Sequence, residues 1–178
     1  MLREGRGPRY LRLHRAMAAA AMSGLGLVLW PATLDGQVGA AGFTAGATVM
    51  RSCDIQTSPL AFGDYDPIAQ HATQPLDREA SVILTCTKGT SATIGLSVGQ
   101  YALGAARNMS NGSAVLRYDL FSNADRTQPW GESSADQIDT GDAPSDAPRT
   151  YVVFGRIPAG QDIPIGTYTD SVVATVVF

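Results

Sequence analysis

Cys53 and Cys86 are the two cysteines of this 178-residue chain, and the residues with the most chemistry open to them. An even count suggests one disulfide if the chain is exported. Its loop of about 30 residues would contribute on the order of 3 kcal/mol. Two free thiols or half of a metal site are the rival readings. A metal would need further ligands, and beyond residue 40 the chain offers one histidine, His71, and no Cys-x-x-Cys. A Ser-His-Asp triad would also need His71. It lies in Asp66-Pro67-Ile68-Ala69-Gln70-His71, which reads as surface, and no Gly-x-Ser-x-Gly precedes it. Asp64 and Asp66 are two apart, a spacing that a turn explains. There is no phosphate loop and no dinucleotide fingerprint. Arg107-Asn108-Met109 and Trp130-Gly131 could line a ligand site, but packing and loop bracing explain them more simply. With no nucleophile beside a base, the chain reads as a non-enzyme that carries no cofactor.

The first 40 residues differ from the rest. Five arginines (Arg3, Arg6, Arg9, Arg12 and Arg15) precede an apolar run over residues 16–30, interrupted by Ser23 alone. Small residues follow, with Val38-Gly39-Ala40 fitting a signal-peptidase site. A basic start, a short apolar middle and a small-residue exit predict a secretory signal peptide over residues 1–40. An uncleaved anchor is the alternative, but about 15 apolar residues fall short of the roughly 20 that span a bilayer. Residues 41–178 hold eight Lys and Arg against fourteen Asp and Glu, a net charge of −6. That sign argues against nucleic acid and against anionic lipid surfaces as partners.

Past residue 40 the apolar residues recur with period two. Six runs read as strands: 43–49, 81–86, 93–98, 114–121, 151–157 and 168–178. Leu116, Tyr118 and Leu120 face one side with Arg117 and Asp119 on the other, and Val172, Ala174, Val176 and Phe178 share a face. Lys88-Gly89 and Asn111-Gly112 mark turns. Residues 132–149, rich in Asp, Ser, Gly and Pro, read as an exposed loop of about 18 residues, a tolerated insertion or a binding element. Short strands without helices predict an immunoglobulin-like β-sandwich over residues 41–178. Six strands are one short of the usual seven, and the last run stops at Phe178. A sandwich lacking a strand exposes a sheet edge and part of its core.

An ordered set of motifs resembles the spore coat U domain family. It begins with Cys53, Phe62-Gly63-Asp64-Tyr65-Asp66-Pro67 and Leu84-Thr85-Cys86-Thr87-Lys88-Gly89. It continues through Gly104, Arg107-Asn108-Met109, Leu116-Arg117-Tyr118-Asp119-Leu120-Phe121 and Trp130-Gly131. It closes with Val153-Phe154-Gly155-Arg156-Ile157-Pro158, Gln161 and Pro164-Ile165-Gly166-Thr167-Tyr168-Thr169-Asp170-Ser171-Val172. The resemblance covers residues 43–178 and implies exported proteins, among them subunits of archaic chaperone–usher pili and a spore coat component. For the pilins it implies an incomplete immunoglobulin-like fold, completed first by a periplasmic chaperone and then by the N-terminal segment of the next subunit, with an outer-membrane usher. It also implies a disulfide near the start of the fold, here Cys53 to Cys86. The candidate donor runs from Ala41 to Val49, with Phe43, Ala45, Ala47 and Val49 on one face. The same segment could instead be the domain's own first strand. A self-complemented coat or matrix protein and a small adhesive module using residues 132–149 are the competing functions.

Overall fold

The computed structural model describes residues 38–178. The expected signal peptide lies outside them except for Val38, Gly39 and Ala40. Residues 38–45 fall outside the compact unit Gly46–Phe178. The unit holds eight strands: β1 (Cys53–Thr57), β2 (Leu76–Cys86), β3 (Ser91–Leu96), β4 (Arg107–Ser110), β5 (Val115–Phe121), β6 (Ile138–Asp142), β7 (Arg149–Ile157) and β8 (Ala174–Val177). They form an antiparallel five-stranded sheet ordered β1-β2-β7-β5-β4 and a three-stranded sheet ordered β6-β3-β8.

The all-β class and the two sheets agree with the period-two reading, and the strand count rises from six to eight. Five of the six expected runs hold strands. The run at 43–49 holds none, and the first strand begins at Cys53. Residues 132–149 are not one long loop: β6 occupies their middle and Ala143 behind it is buried. His71 is also not at the surface. It is 4% exposed within a short 3-10 turn, stacked 5.1 Å from the Tyr65 ring, with Nδ1 3.1 Å from the Gln74 carbonyl oxygen.

The core sits between the inner faces of the sheets. Val82 and Leu84 (β2), Leu116, Tyr118 and Leu120 (β5), Val153 and Ile157 (β7) face Ile94 and Leu96 (β3), with Trp130 fully buried among them. The alternation along β5 is the one its sequence predicts, with Arg117 exposed on the other face. On the outer face of the large sheet, Asp77 accepts a bidentate pair from Arg156 at 2.7 and 2.8 Å, and Arg126 lies 3.4 Å away.

Cys53 and Cys86 form the disulfide, with their Cα atoms 4.1 Å apart across a directly opposed pair of β1 and β2. Ser52 and Thr87 flank that pair with a backbone hydrogen bond. Among the described residues β1 has only β2 as a hydrogen-bonded neighbour, so the crosslink secures an edge strand of five residues. Replacing both cysteines by serine should cost about 3 to 4 kcal/mol for a closed loop of this length, read from denaturant midpoints.

The Asp77 carboxyl is held below its ordinary pKa, chiefly by its hydrogen bonds from Arg156, with Arg126 and Arg78 adding attraction. A depressed folded-state pKa adds stability that is complete above the unfolded value and is lost as pH falls through the folded value. Asp77→Asn should therefore lower stability at neutral pH and flatten its decline below about pH 4, as measured by melting temperature against pH.

Candidate functional site

A cavity of about 580 Å³ opens along the inner face of the large sheet. Its floor is built from core side chains on successive strands: Val82, Val153, Leu120, Tyr118 and Met109. One wall is the segment after β1, residues 57–62. The other is residues 168–174, which lead into β8. Leu96 joins the lining from β3. The floor residues other than Met109 are each under 7% exposed, so solvent meets them only through the slot between the walls.

β8 is an edge strand. The Ser97 N–H donates to the Val173 carbonyl at 2.9 Å, which makes those two residues a hydrogen-bonded pair in the β3–β8 register. Antiparallel pairs alternate, so Thr175 and Val177 also turn their backbone groups toward β3. Ala174 and Val176 turn theirs away from it, toward the free edge. Their side chains face inward, opposite Leu96 and Ile94. Among the described residues, a row of unpaired backbone groups therefore borders an apolar slot, which is what a sheet lacking its next strand presents.

The sequence motifs meet around this slot as braces. Gly155 is bare where the first wall crosses β7: a Cβ there would lie 2.6 Å from Leu60 Cδ2 and 2.9 Å from Phe62 Cζ. Phe62 then meets the Tyr118 ring edge-on at 6.0 Å. Gly63 has a positive φ of 78°, which suits glycine where that wall turns away. Tyr65 donates its hydroxyl to the Pro158 carbonyl at 2.9 Å and accepts from the Gln161 N–H at 3.1 Å. The 3-10 turn is thereby pinned to the end of β7.

Arg107 sews the two sheets together. Its guanidinium donates to the carbonyls of Ser97, Leu96 and Trp130 at 2.9, 2.9 and 2.8 Å, and the residue is 8% exposed. Burial lowers its pKa from the usual arginine value, partly offset by Tyr118 and nearby carboxylates. Trp130 adds a bond from Nε1 to the Ile94 carbonyl at 2.9 Å, and the Gly131 N–H donates to Asp136. Gly166 packs against Asn111, and the Tyr168 hydroxyl donates to the Pro164 carbonyl at 2.7 Å. Met109, Tyr118, Tyr168 and Asp170 line the slot itself.

Of the candidate donor residues, Ala47 and Val49 do not line the slot. Phe43 and Val49 are 93% and 83% exposed, and Ala45 and Ala47 are exposed as well. Sequence reading did not single out Leu60 or Ser97. Ser97 lies in Gly95-Leu96-Ser97-Val98-Gly99, the spacing of a nucleophile elbow. Its Oγ instead accepts from the Val173 N–H at 2.9 Å and the Gly99 N–H at 3.4 Å. His71 is engaged elsewhere with Tyr65 and Gln74. The motif here is strand-end chemistry. Among the described residues, no group of three or more His, Cys, Asp or Glu could hold a metal ion.

Comparison with known proteins agrees with this geometry. A chain of the crystal structure of the CsuC–CsuE chaperone–tip adhesion subunit pre-assembly complex, from archaic chaperone–usher Csu pili of Acinetobacter baumannii, matches with a TM-score of 0.56 at 25% identity. The match covers 74% of this chain and 41% of that one, so this chain spans about two fifths of its length. Protein U of Myxococcus xanthus is 32% identical over 146 residues, covering 74% of this chain and 80% of that protein. The model of the Spore Coat Protein U domain matches residues 40–175. The ordered motifs, the two-sheet fold and this match over most of its length agree, and the chain belongs to the Spore Coat Protein U domain family.

Proposed function

We propose that this chain is a structural subunit of a surface fibre, built by strand donation between subunits along a chaperone–usher route. The observation that carries the reading is the free edge of β8 beside a slot floored by core side chains. An incoming strand would pair its backbone with Ala174 and Val176 and set alternate side chains on Val82, Val153 and Leu120. That is strand addition to an exposed sheet edge. The Csu complex, a chaperone bound to a pilus subunit before assembly, supports the same route.

The proposed donor is the segment 41–49 of another copy, with Phe43, Ala45, Ala47 and Val49 facing the slot. The path of the chain just before β1 favours donation between copies. Thr87 donates from Oγ1 to the Met50 carbonyl and from its N–H to the Ser52 carbonyl. Residues 50–52 therefore continue the line of β1 along Thr87. A chain completing its own sandwich with 41–49 would instead reverse within these few residues to lie along the free edge of β1. Export through the leader, a chaperone in the periplasm and an outer-membrane usher complete the proposal. The surface is its destination, and neither catalysis nor a cofactor is required.

The test is expression in a periplasm with and without the cognate chaperone, followed by electrophoresis before and after heating. Heat-sensitive ladders are expected, and deletion of 41–49 should remove them while chaperone binding persists. Ladders that survive the deletion would refute the donor assignment. Ala174→Pro gives a finer test. It removes an N–H from the free edge and none from the β3 ladder, a place where proline is tolerated. The variant should fold as a monomer and form ladders that dissociate at lower temperature.

A further inference from the structure

The slot wall formed by residues 168–174 changes sheets along its length. Thr169 exchanges two backbone hydrogen bonds with Ser110 of β4, at 2.9 and 3.1 Å, and so belongs to the large sheet. Four residues later Val173 is bonded to Ser97 at the end of β3 and belongs to the small one. Asp170 stands at the crossover, and its carboxylate reaches both sides. Oδ2 accepts from the Tyr118 hydroxyl in the slot floor at 2.6 Å. Oδ1 accepts from the backbone N–H of Gln100 at 2.8 Å and of Tyr101 at 3.3 Å, in the loop that follows β3.

The loop is shaped to receive this carboxylate. Gly99 has φ of +89°, and a Cβ built on it would collide with Asp170 Oδ2. Burial and the hydrogen bond to Asp170 raise the Tyr118 pKa far above its usual value, so the phenol remains a donor. One side chain thus ties the floor of the slot, its wall and the loop beyond β3 together, just ahead of the edge that would receive a strand.

We propose that Asp170 is a positioning residue for strand uptake, clamping the wall of the slot to its floor so that the free edge of β8 is set before a strand arrives. This rests on the strand-acceptor reading given above. An edge fixed in advance spares the incoming strand the cost of ordering its partner, so the clamp acts on association.

The test is the uptake rate of a fluorescent peptide of residues 41–51 by the purified exported chain, alongside its melting temperature. Asp170→Ala should slow uptake about tenfold or more, the scale of hydrogen bonds to a charged group. Gly99→Ala should slow it similarly by occupying the place of the carboxylate. Asp170→Asn keeps the two backbone bonds through Oδ1 and should restore most of the rate. Tyr118→Phe loses one bond and should fall between. Asp77→Asn, on the outer face and outside the slot lining, should lower the melting temperature and leave the rate unchanged. Equal rates for Asp170→Ala and the unaltered chain would overturn the role of Asp170. So would equal slowing by Asp77→Asn, since stability alone would then explain the effect. An unaltered chain that takes up no peptide would overturn the strand-acceptor reading itself.

Discussion

The backbone of β8 has hydrogen-bonding groups to satisfy on both edges, and within the compact unit only β3 answers them. Unpaired backbone groups can be left to water, as on many edge strands. Here, however, the free edge lies over apolar side chains that belong to the core. Water can satisfy the amides but adds no packing over Val82, Val153 and Leu120, each under 7% exposed beneath the slot; closing the walls would cover those side chains further and strand the amides. A strand is the one occupant that answers both demands, because its backbone pairs while its alternate side chains fill the floor. The remaining architecture can be understood as keeping this slot open and correctly spaced.

Buried polar groups do much of that spacing. Apolar contacts are non-directional and would let the small sheet slide over the large one. Arg107, with three backbone carbonyls, and Trp130, with one, fix the relation of β3 to β4 and β5 by hydrogen bonds of defined direction. Removing the guanidinium would leave three carbonyls short of a donor in a place that water scarcely reaches. The disulfide acts at the opposite margin, where β1 has one neighbour among the described residues. Leu60 and Phe62 seated on Gly155 keep the first wall down on the sheet.

Much of this was legible in the sequence, and the gaps have physical causes. Leu116, Tyr118 and Leu120 announce their strand by alternating over a window long enough to show the period, while Val82, Leu84 and Val153 lie in short apolar runs rich in β-branched and aromatic residues. β4 and β6 show neither signal. Arg-Asn-Met-Ser and Ile-Asp-Thr-Gly-Asp are too short and too polar for any pattern, and only pairing with β5 and β3 makes them strands. The run at 43–49 has the pattern without the pairing. His71 reads as surface because its burial depends on stacking with Tyr65, itself anchored to Pro158 far along the chain. The slot was foreseen only as a missing strand. That a lone acid in Thr-Asp-Ser would bridge both sheets depends on Tyr118 and Gly99, neighbours in space that no local sequence signal names.

The most direct measurement is amide hydrogen exchange at Ala174 and Val176, compared between the monomer and the assembled fibre. In the monomer these two N–H groups should exchange orders of magnitude faster than Thr175, which is turned toward β3. In the fibre they should become as protected as Thr175, because a strand from another subunit then covers them. Strong protection already present in the monomer would mean that the edge is occupied within one chain, and would contradict the open slot from which strand donation follows.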